Sequence, residues 1–302
     1  MSEDTGAVVS SCCASCGIAE SDDVKLMKCT GCYLVRYCSV KCQKEQRPKH
    51  KKECKKRAAE LRDEILFKQP ESGHLGDCPI CCLPLSDDPQ RAKNILMPCC
   101  GKTICLGCDH ANKKREFELR LENKCAFCRH PAPKSEEEAK SYNMKRAEAN
   151  DPVAIYHLGL DYCDEGDDEG GFNYLSKAAE LGDAGAHYHA SYMYMEGLGV
   201  ERDEKKHIYH LERAAIGGHS MARHNLGCVE ERHGKMDRAV KHWIIAANMA
   251  YDLSLEALKN AYKKGLVSKE DFTGALRGYQ AAIEATKSPQ REEAEDSYFR
   301  VA

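Results

Sequence analysis

This chain is short of several things, and each shortage excludes something. It has no run of about 18 apolar residues, so no stretch reads as a membrane-crossing helix. Its first ten residues, Met1 to Ser10, are small and acidic without an apolar centre, and they do not read as a secretory leader. There is no Ser-His-Asp pattern, no glycine-rich phosphate loop and no pair of carboxylates of active-site type. Cysteine is nearly missing from the second half: of 19, only Cys163 and Cys228 lie beyond position 128, and both fall on apolar positions that read as packing. His187, His189, His207, His210, His219, His224 and His242 are not spaced with a carboxylate as metal pairs are, and they read as helix-surface or packing residues.

What is present is a dense set of metal-type ligands at the front. With no leader, the thiols are expected in a reducing compartment, cytoplasmic or nuclear, holding metal rather than forming disulfides. Cys13-x-x-Cys16, Cys29-x-x-Cys32, Cys38-x-x-x-Cys42 and His50-x-x-x-Cys54 come first. Two intervening residues let one turn aim both sulfurs at one ion, and three place a pair on one face of a helix. Four such pairs make two tetrahedral zinc sites. Residues 1–134 carry 24 Lys or Arg against 18 Asp or Glu, while the remainder carries 21 against 30. Part of the basic surplus offsets zinc-bound thiolates, whose charge the formal count of −3 omits.

The stretch from Cys13 to Cys54, with all eight ligands in place, resembles the MYND zinc-finger family. The resemblance implies interleaved sites: Cys13, Cys16, Cys38 and Cys42 on one zinc, and Cys29, Cys32, His50 and Cys54 on the other. Cys12 is then spare. A segment this short buries too little apolar surface to fold alone, so the metals supply on the order of 10 kcal/mol per site. The family binds short proline-rich peptides, which points to Tyr33, Leu34, Tyr37 and Gln43 as candidate surface, with Tyr37 also suited to the small core. Some MYND proteins carry a methyltransferase domain, and nothing else in this chain resembles one. The basic run Arg47 to Arg57 reads as a solvated helix face rather than a nucleic-acid patch.

A second set follows: Cys78-x-x-Cys81, Cys99-Cys100, Cys105-x-x-Cys108 and Cys125-x-x-Cys128. Its order resembles a RING finger of the all-cysteine kind, with Lys102 standing where histidine is usual. The resemblance implies cross-braced zinc sites, Cys78, Cys81, Cys105 and Cys108 on one, and Cys99, Cys100, Cys125 and Cys128 on the other. His110 or His130 is an alternative ligand in the second, and Cys82 is spare. A RING ligase holds a ubiquitin-conjugating enzyme through an aliphatic residue, an apolar residue and a cation. Ile80 and Arg129 match the first and third, and Asp109 fails to match the second.

Beyond Pro131-Ala-Pro133 the sequence repeats. Ala178-Ala179 recurs as Ala214-Ala215, Ala246-Ala247 and Ala281-Ala282, and Leu158-Gly159 recurs as Leu226-Gly227. One period shared by two phases means paired helices with small residues at close contacts. The unit resembles Sel-one-like repeats, relatives of the tetratricopeptide repeat, carried by Ala154, Leu158, Gly159, Tyr162 and Gly166, and again by Ala222, Leu226 and Gly227. A fourth copy, from Leu255 to Ile283, is degraded and reads as a cap. Such solenoids present a concave surface to a client protein.

The expected architecture is multidomain: two small zinc-stabilised fingers followed by an all-α helical-repeat solenoid. Its parts are a MYND-type finger over 12–58, a helical linker over 59–74, a RING-like finger over 75–133, a charged linker over 134–149, Sel-one-like repeats over 150–287 and a flexible tail over 288–302. The expected function is a zinc-binding interaction adaptor, with a RING-type ubiquitin ligase as the alternative.

Overall fold

The computed structural model describes residues 11–87 and 94–299, so the expectation for Met1 to Ser10 lies outside the described residues. The chain forms a zinc finger at its amino-terminal end, followed in sequence by an all-helical repeat stack, in two compact units, Met1–Lys68 and Gln69–Ala302.

In the first unit, β1 (Met27–Lys28) pairs antiparallel with β2 (Arg36–Tyr37), and α1 (Val40–Leu66) follows. Ser39 caps α1 by accepting the Cys42 N–H. Its core is little more than Leu26 and Tyr37 set among Cys13, Cys29, Cys32 and Cys42. α1 runs unbroken for 27 residues, with Pro48 inside it. The boundary expected at position 58 therefore falls inside one helix, and the linker is the continuation of the helix that carries Cys42, His50 and Cys54. Leu61, Ile65 and Leu66 do not form one buried stripe: Leu66 is buried but Ile65 is exposed.

The second unit opens with the second cysteine module. β3 (Asn94–Met97) and β4 (Lys102–Cys105) form an antiparallel hairpin, and α2 (Leu106–Glu118) follows. Leu85, Met97 and Ile104 fill the space between its cysteines.

Residues 134–149, expected as a linker, contain α3 (Glu136–Glu148). Ser135 caps it, three glutamates fill its first turn, and Lys145 and Arg146 lie in its last, so these charges suit the helix dipole, with only Glu148 at the end against it. That pattern outweighs its polar composition. Four antiparallel helix pairs come next: α4 (Pro152–Asp164) with α5 (Asp168–Glu180), α6 (Ala184–Glu196) with α7 (Glu204–Ile216), α8 (Ser220–Arg232) with α9 (Met236–Ala247), and α10 (Asp252–Lys263) with α11 (Lys269–Ala285).

The recurring Leu-Gly positions explain how these helices meet. A Cβ on Gly159 would lie 2.8 Å from Leu175 Cγ, and one on Gly227 only 2.3 Å from Trp243 Nε1. The alanine pairs of α5, α7 and α9 are fully packed, while Ala281 in the last copy is exposed, as befits a terminal cap.

Two features depart from a string of separate domains. Pro289–Phe299 forms a helix, α12, which packs on α2 of the cysteine module. The tail expected over 288–302 is to that extent a built element. Ser288 Oγ accepts the Arg291 N–H at its start. The cysteine module and the segment leading into it also contact the starts of three of the four helix pairs. Arg146, which holds the α4 cap residue Asp151, donates to Pro98 O at 3.1 Å. His74 N donates to Gly218 O at 2.9 Å in the α7–α8 turn. Asn248, at the end of α9, donates to Gln69 Oε1 at 3.2 Å.

Candidate metal centres and a peptide groove

Four turns of one design carry eight of the cysteines. In each, the residue after the second cysteine of a Cys-x-x-Cys pair returns its N–H to the first cysteine's carbonyl. Gly17 does so to Cys13, Tyr33 to Cys29, Cys82 to Cys78 and Arg129 to Cys125, at 2.8–3.0 Å. All four donors have left-handed backbones, with φ of 77°, 58°, 57° and 63°. A non-glycine residue there costs roughly 1 kcal/mol or more and persists only where the surroundings demand it. A tight turn with two thiols on one side is such a demand. The cysteine spacing is visible in the sequence but this shared turn is not; its signal would be the fifth residue, read as a backbone position.

The turns bring sixteen residues into four clusters, each with its ligand atoms within 4.8 Å of one another. Cys13, Cys16, Cys38 and Cys42 form one, and Cys29, Cys32, His50 and Cys54 the next. Cys78, Cys81, Cys105 and Cys108 form the third, and Cys99, Cys100, Cys125 and Cys128 the fourth. Sulfurs around a tetrahedral zinc at about 2.3 Å lie about 3.8 Å apart. Here Cys16–Cys38 and Cys38–Cys42 are 3.6 Å apart, Cys29–Cys54 3.7 Å and Cys81–Cys105 3.8 Å. In the fourth cluster, Cys99–Cys128 and Cys100–Cys125 are 3.4 and 3.9 Å. Cys32 Sγ is 3.1 Å from His50 Nε2. The donor sets fit zinc. Cys12, Cys82, His110 and His130 stand outside these clusters, and His130 Nδ1 lies against Pro131 O.

The electrostatics point the same way. Burial pushes the Cys13 thiol up, but the amides of Cys16, Cys38 and Ser15 outweigh it and bring it down to about 6. Burial likewise opposes, and backbone amides win, at Cys29 (about 6) and Cys78 (about 7). Their neighbours go the other way. At Cys38 the side chains of Cys16 and Cys42 raise the value to about 12, and burial followed by Cys29 and Cys32 does so at Cys54. Four thiols this close cannot all ionise unless a divalent cation sits among them.

A fifth grouping, His74, Asp87 and His219, is not a shared metal site. The two imidazoles stack at 4.3 Å with planes 9° apart. An ion bound to a ring nitrogen lies in the plane of that ring, and two stacked planes have no common point between them. Asp87 instead caps α8, accepting Ser220 N at 2.8 Å and Ser220 Oγ at 2.6 Å. His187 and His210 meet at 3.0 Å without a carboxylate, and Cys228 lies 3.5 Å from His224. Burial raises the thiols of Cys163 and Cys228, which suits packing rather than nucleophilic attack.

Beside the second cluster of the first unit lies a groove of about 400 Å³. Tyr37, Val40 and Gln43 line it, with Lys44, Arg47 and Lys51 among its walls. Tyr37 is buried, whereas Tyr33 is 57% exposed. Of the four candidate surface residues, Tyr37 and Gln43 line the groove and Tyr33 and Leu34 do not. In the second module Ile80 is 42% exposed, Asp109 is buried against Lys113, and Arg129 is bound to Glu116 at 2.8 Å and Asn112 at 2.7 Å.

The MYND finger model matches residues 13–54, and the Sel1 repeat model matches 152–183 and 184–219. Over 31 residues the chain is 58% identical to the histone-lysine N-methyltransferase SMYD3 of Homo sapiens; the match spans 10% of this chain and 7% of that protein. Among solved structures, a Sel1 repeat protein from Oxalobacter formigenes is 26% identical, with 60% of this chain and 72% of that one covered and a TM-score of 0.44. The Escherichia coli protective antigen c5321, described as displaying an SLR fold, is 24% identical, with 57% and 37% covered and a TM-score of 0.40. A MYND finger and Sel1 repeats are both protein-interaction modules.

Proposed function

We propose that the chain is an intracellular adaptor that uses four zinc ions to hold its two cysteine modules. Its MYND finger captures a short proline-containing peptide, and its repeats hold a second protein. The observation that carries this reading is the groove beside Cys29, His50 and Cys54. Its exposed Val40, over the buried Tyr37, suits proline and aliphatic side chains, and Gln43 offers an amide to a peptide backbone. Lys44, Arg47 and Lys51 favour acidic residues beside the prolines. A basic wall that meets an acidic peptide also accounts for the Arg47 to Arg57 run without nucleic acid.

Calorimetry on the zinc-loaded chain with proline-rich peptides, with and without flanking acidic residues, tests the reading. Binding that weakens several-fold in Gln43→Ala and in Lys44→Glu is expected. Equal affinity of wild type and both variants, or no binding to any such peptide, refutes it.

The second reading, a RING-type ubiquitin ligase, draws support from Ile80, which stands exposed on the turn of Cys78 and Cys81. Against it, Arg129 is already engaged by Glu116 and Asn112. Ubiquitin chains formed in vitro with a panel of conjugating enzymes, and lost in Ile80→Ala, would favour this reading over a purely structural module.

A further inference from the structure

The helix α12 was expected as a tail and is instead seated on the second cysteine module, with Arg291 its most engaged side chain. Arg291 Nη1 donates to Pro84 O at 2.8 Å, and Nη2 donates to Leu83 O at 3.1 Å. Nη2 also lies 3.5 Å from Cys81 Sγ. On its own helix side, Nη1 donates to Thr286 O at 2.9 Å. Leu83 O is the carbonyl that also accepts the Cys78 N–H at 2.9 Å and so closes the turn of Cys78 and Cys81. One guanidinium thus touches both the metal-facing thiol and the backbone that positions it.

The module is shaped to receive this residue. A Cβ on Gly107, between Cys105 and Cys108, would come within 3.0 Å of the Arg291 backbone. Glycine is what allows α12 to come this close to the third cluster. The rim adds Lys114 to Glu293 at 2.7 Å, an exposed pair of little weight. Charge gives the contact its meaning. A zinc held by four thiolates keeps a net charge of −2, and a site this buried has to offset it with amides or a cation. Arginine suits the task because it stays charged and its planar fork serves sulfur and carbonyls together.

We propose that α12 is the closing element of the second cysteine module, with Arg291 the resident cation and turn clamp of the Cys78, Cys81, Cys105 and Cys108 site. Zinc retention there then depends on the far end of the chain. This rests on the reading that these four cysteines hold zinc, and on no assumption about ubiquitin chemistry.

The test measures zinc release from the loaded full-length chain to a chromogenic pyridylazo chelator. Stoichiometry by native mass spectrometry comes first, with Cys78→Ser as the reference for loss of this ion. Arg291→Gln is expected to keep the full zinc count at saturation but to release one ion about 10-fold faster or more, in line with the outer-shell effect on metal affinity. Arg291→Lys keeps the charge and loses the fork, so its rate falls between Gln and wild type. Glu293→Gln leaves the rate unchanged. Helicity of all variants by circular dichroism separates this effect from misfolding. Release from Arg291→Gln at the wild-type rate, or equal rates for the Gln and Lys variants, overturns the assignment. An unaltered zinc count in Cys78→Ser overturns it differently, by showing that the cluster holds no zinc.

Discussion

Mild acid is expected to loosen the repeats before it reaches the range in which carboxylates titrate. Burial depresses His157 to about 4, with smaller contributions from Arg146 and His189. Burial also brings His219 and His242 to about 3. These rings stay neutral in the folded chain at pH 5.5 but protonate once unfolded, where the ordinary value is about 6.5. Proton uptake by the unfolded state lowers stability as pH falls through 6.5, and the loss ends only near the folded values of 3 to 4. At pH 5.5 each such ring costs about 1.4 kcal/mol relative to pH 7.5, so the three together cost about 4 kcal/mol. With a urea slope of about 2–3 kcal/mol per molar, the midpoint should drop by about 1.5 M. Trp243, the single tryptophan, is buried against Gly227 in the third repeat and reports this transition without signal from the cysteine modules. Zinc content read in the same samples shows whether the metal stayed bound. Histidine ring protons followed by NMR supply the direct check. If the midpoint does not move while zinc is retained, or if these rings titrate near 6.5 in the folded chain, the burial argument fails.

Three further outcomes are expected. Gly227→Ala sets a methyl 2.3 Å from Trp243 Nε1 and should cost about 1–3 kcal/mol by urea melt, while full stability would mean the helix pair is looser than described. Asp87→Ala strands Ser220 N and Oγ and should destabilise the second unit by about 2–3 kcal/mol; a change under 0.5 kcal/mol would deny Asp87 its capping role. By native mass spectrometry Cys12→Ser and Cys82→Ser should retain four zinc ions, whereas Cys99→Ser or Cys100→Ser should weaken or lose one; four tightly held ions in both of the latter would remove the adjacent pair from the ligand set.

Much of this was legible in the sequence because the cysteine clusters and the repeats are written in spacing. Cys-x-x-Cys pairs and the Ala-Ala and Leu-Gly periods need no tertiary information to be seen. The helices α3 and α12 were less visible, since both are charged throughout and their apolar signal is weak. α3 follows from its caps and end charges, which composition conceals. α12 is held by Arg291, a residue that looks solvent-facing until the module it meets is in place. The His74–His219 stack was equally hidden, because 145 positions separate its members and neither has a distinctive neighbour. Interactions across such gaps leave no local trace.

The seating of the cysteine module along the repeat starts has a consequence for how this stack can change. Open-ended solenoids lengthen or shorten by whole units, since each copy answers only to its neighbours. Here Pro98, His74 and Gln69 are fastened at three stations along the array, and Leu83 to α12 just beyond it. Duplicating or deleting one unit would shift every later station by a unit's width, and the fastenings would miss. The copy number of this array is therefore fixed by the span of the module it carries, much as a ruler is cut to a frame.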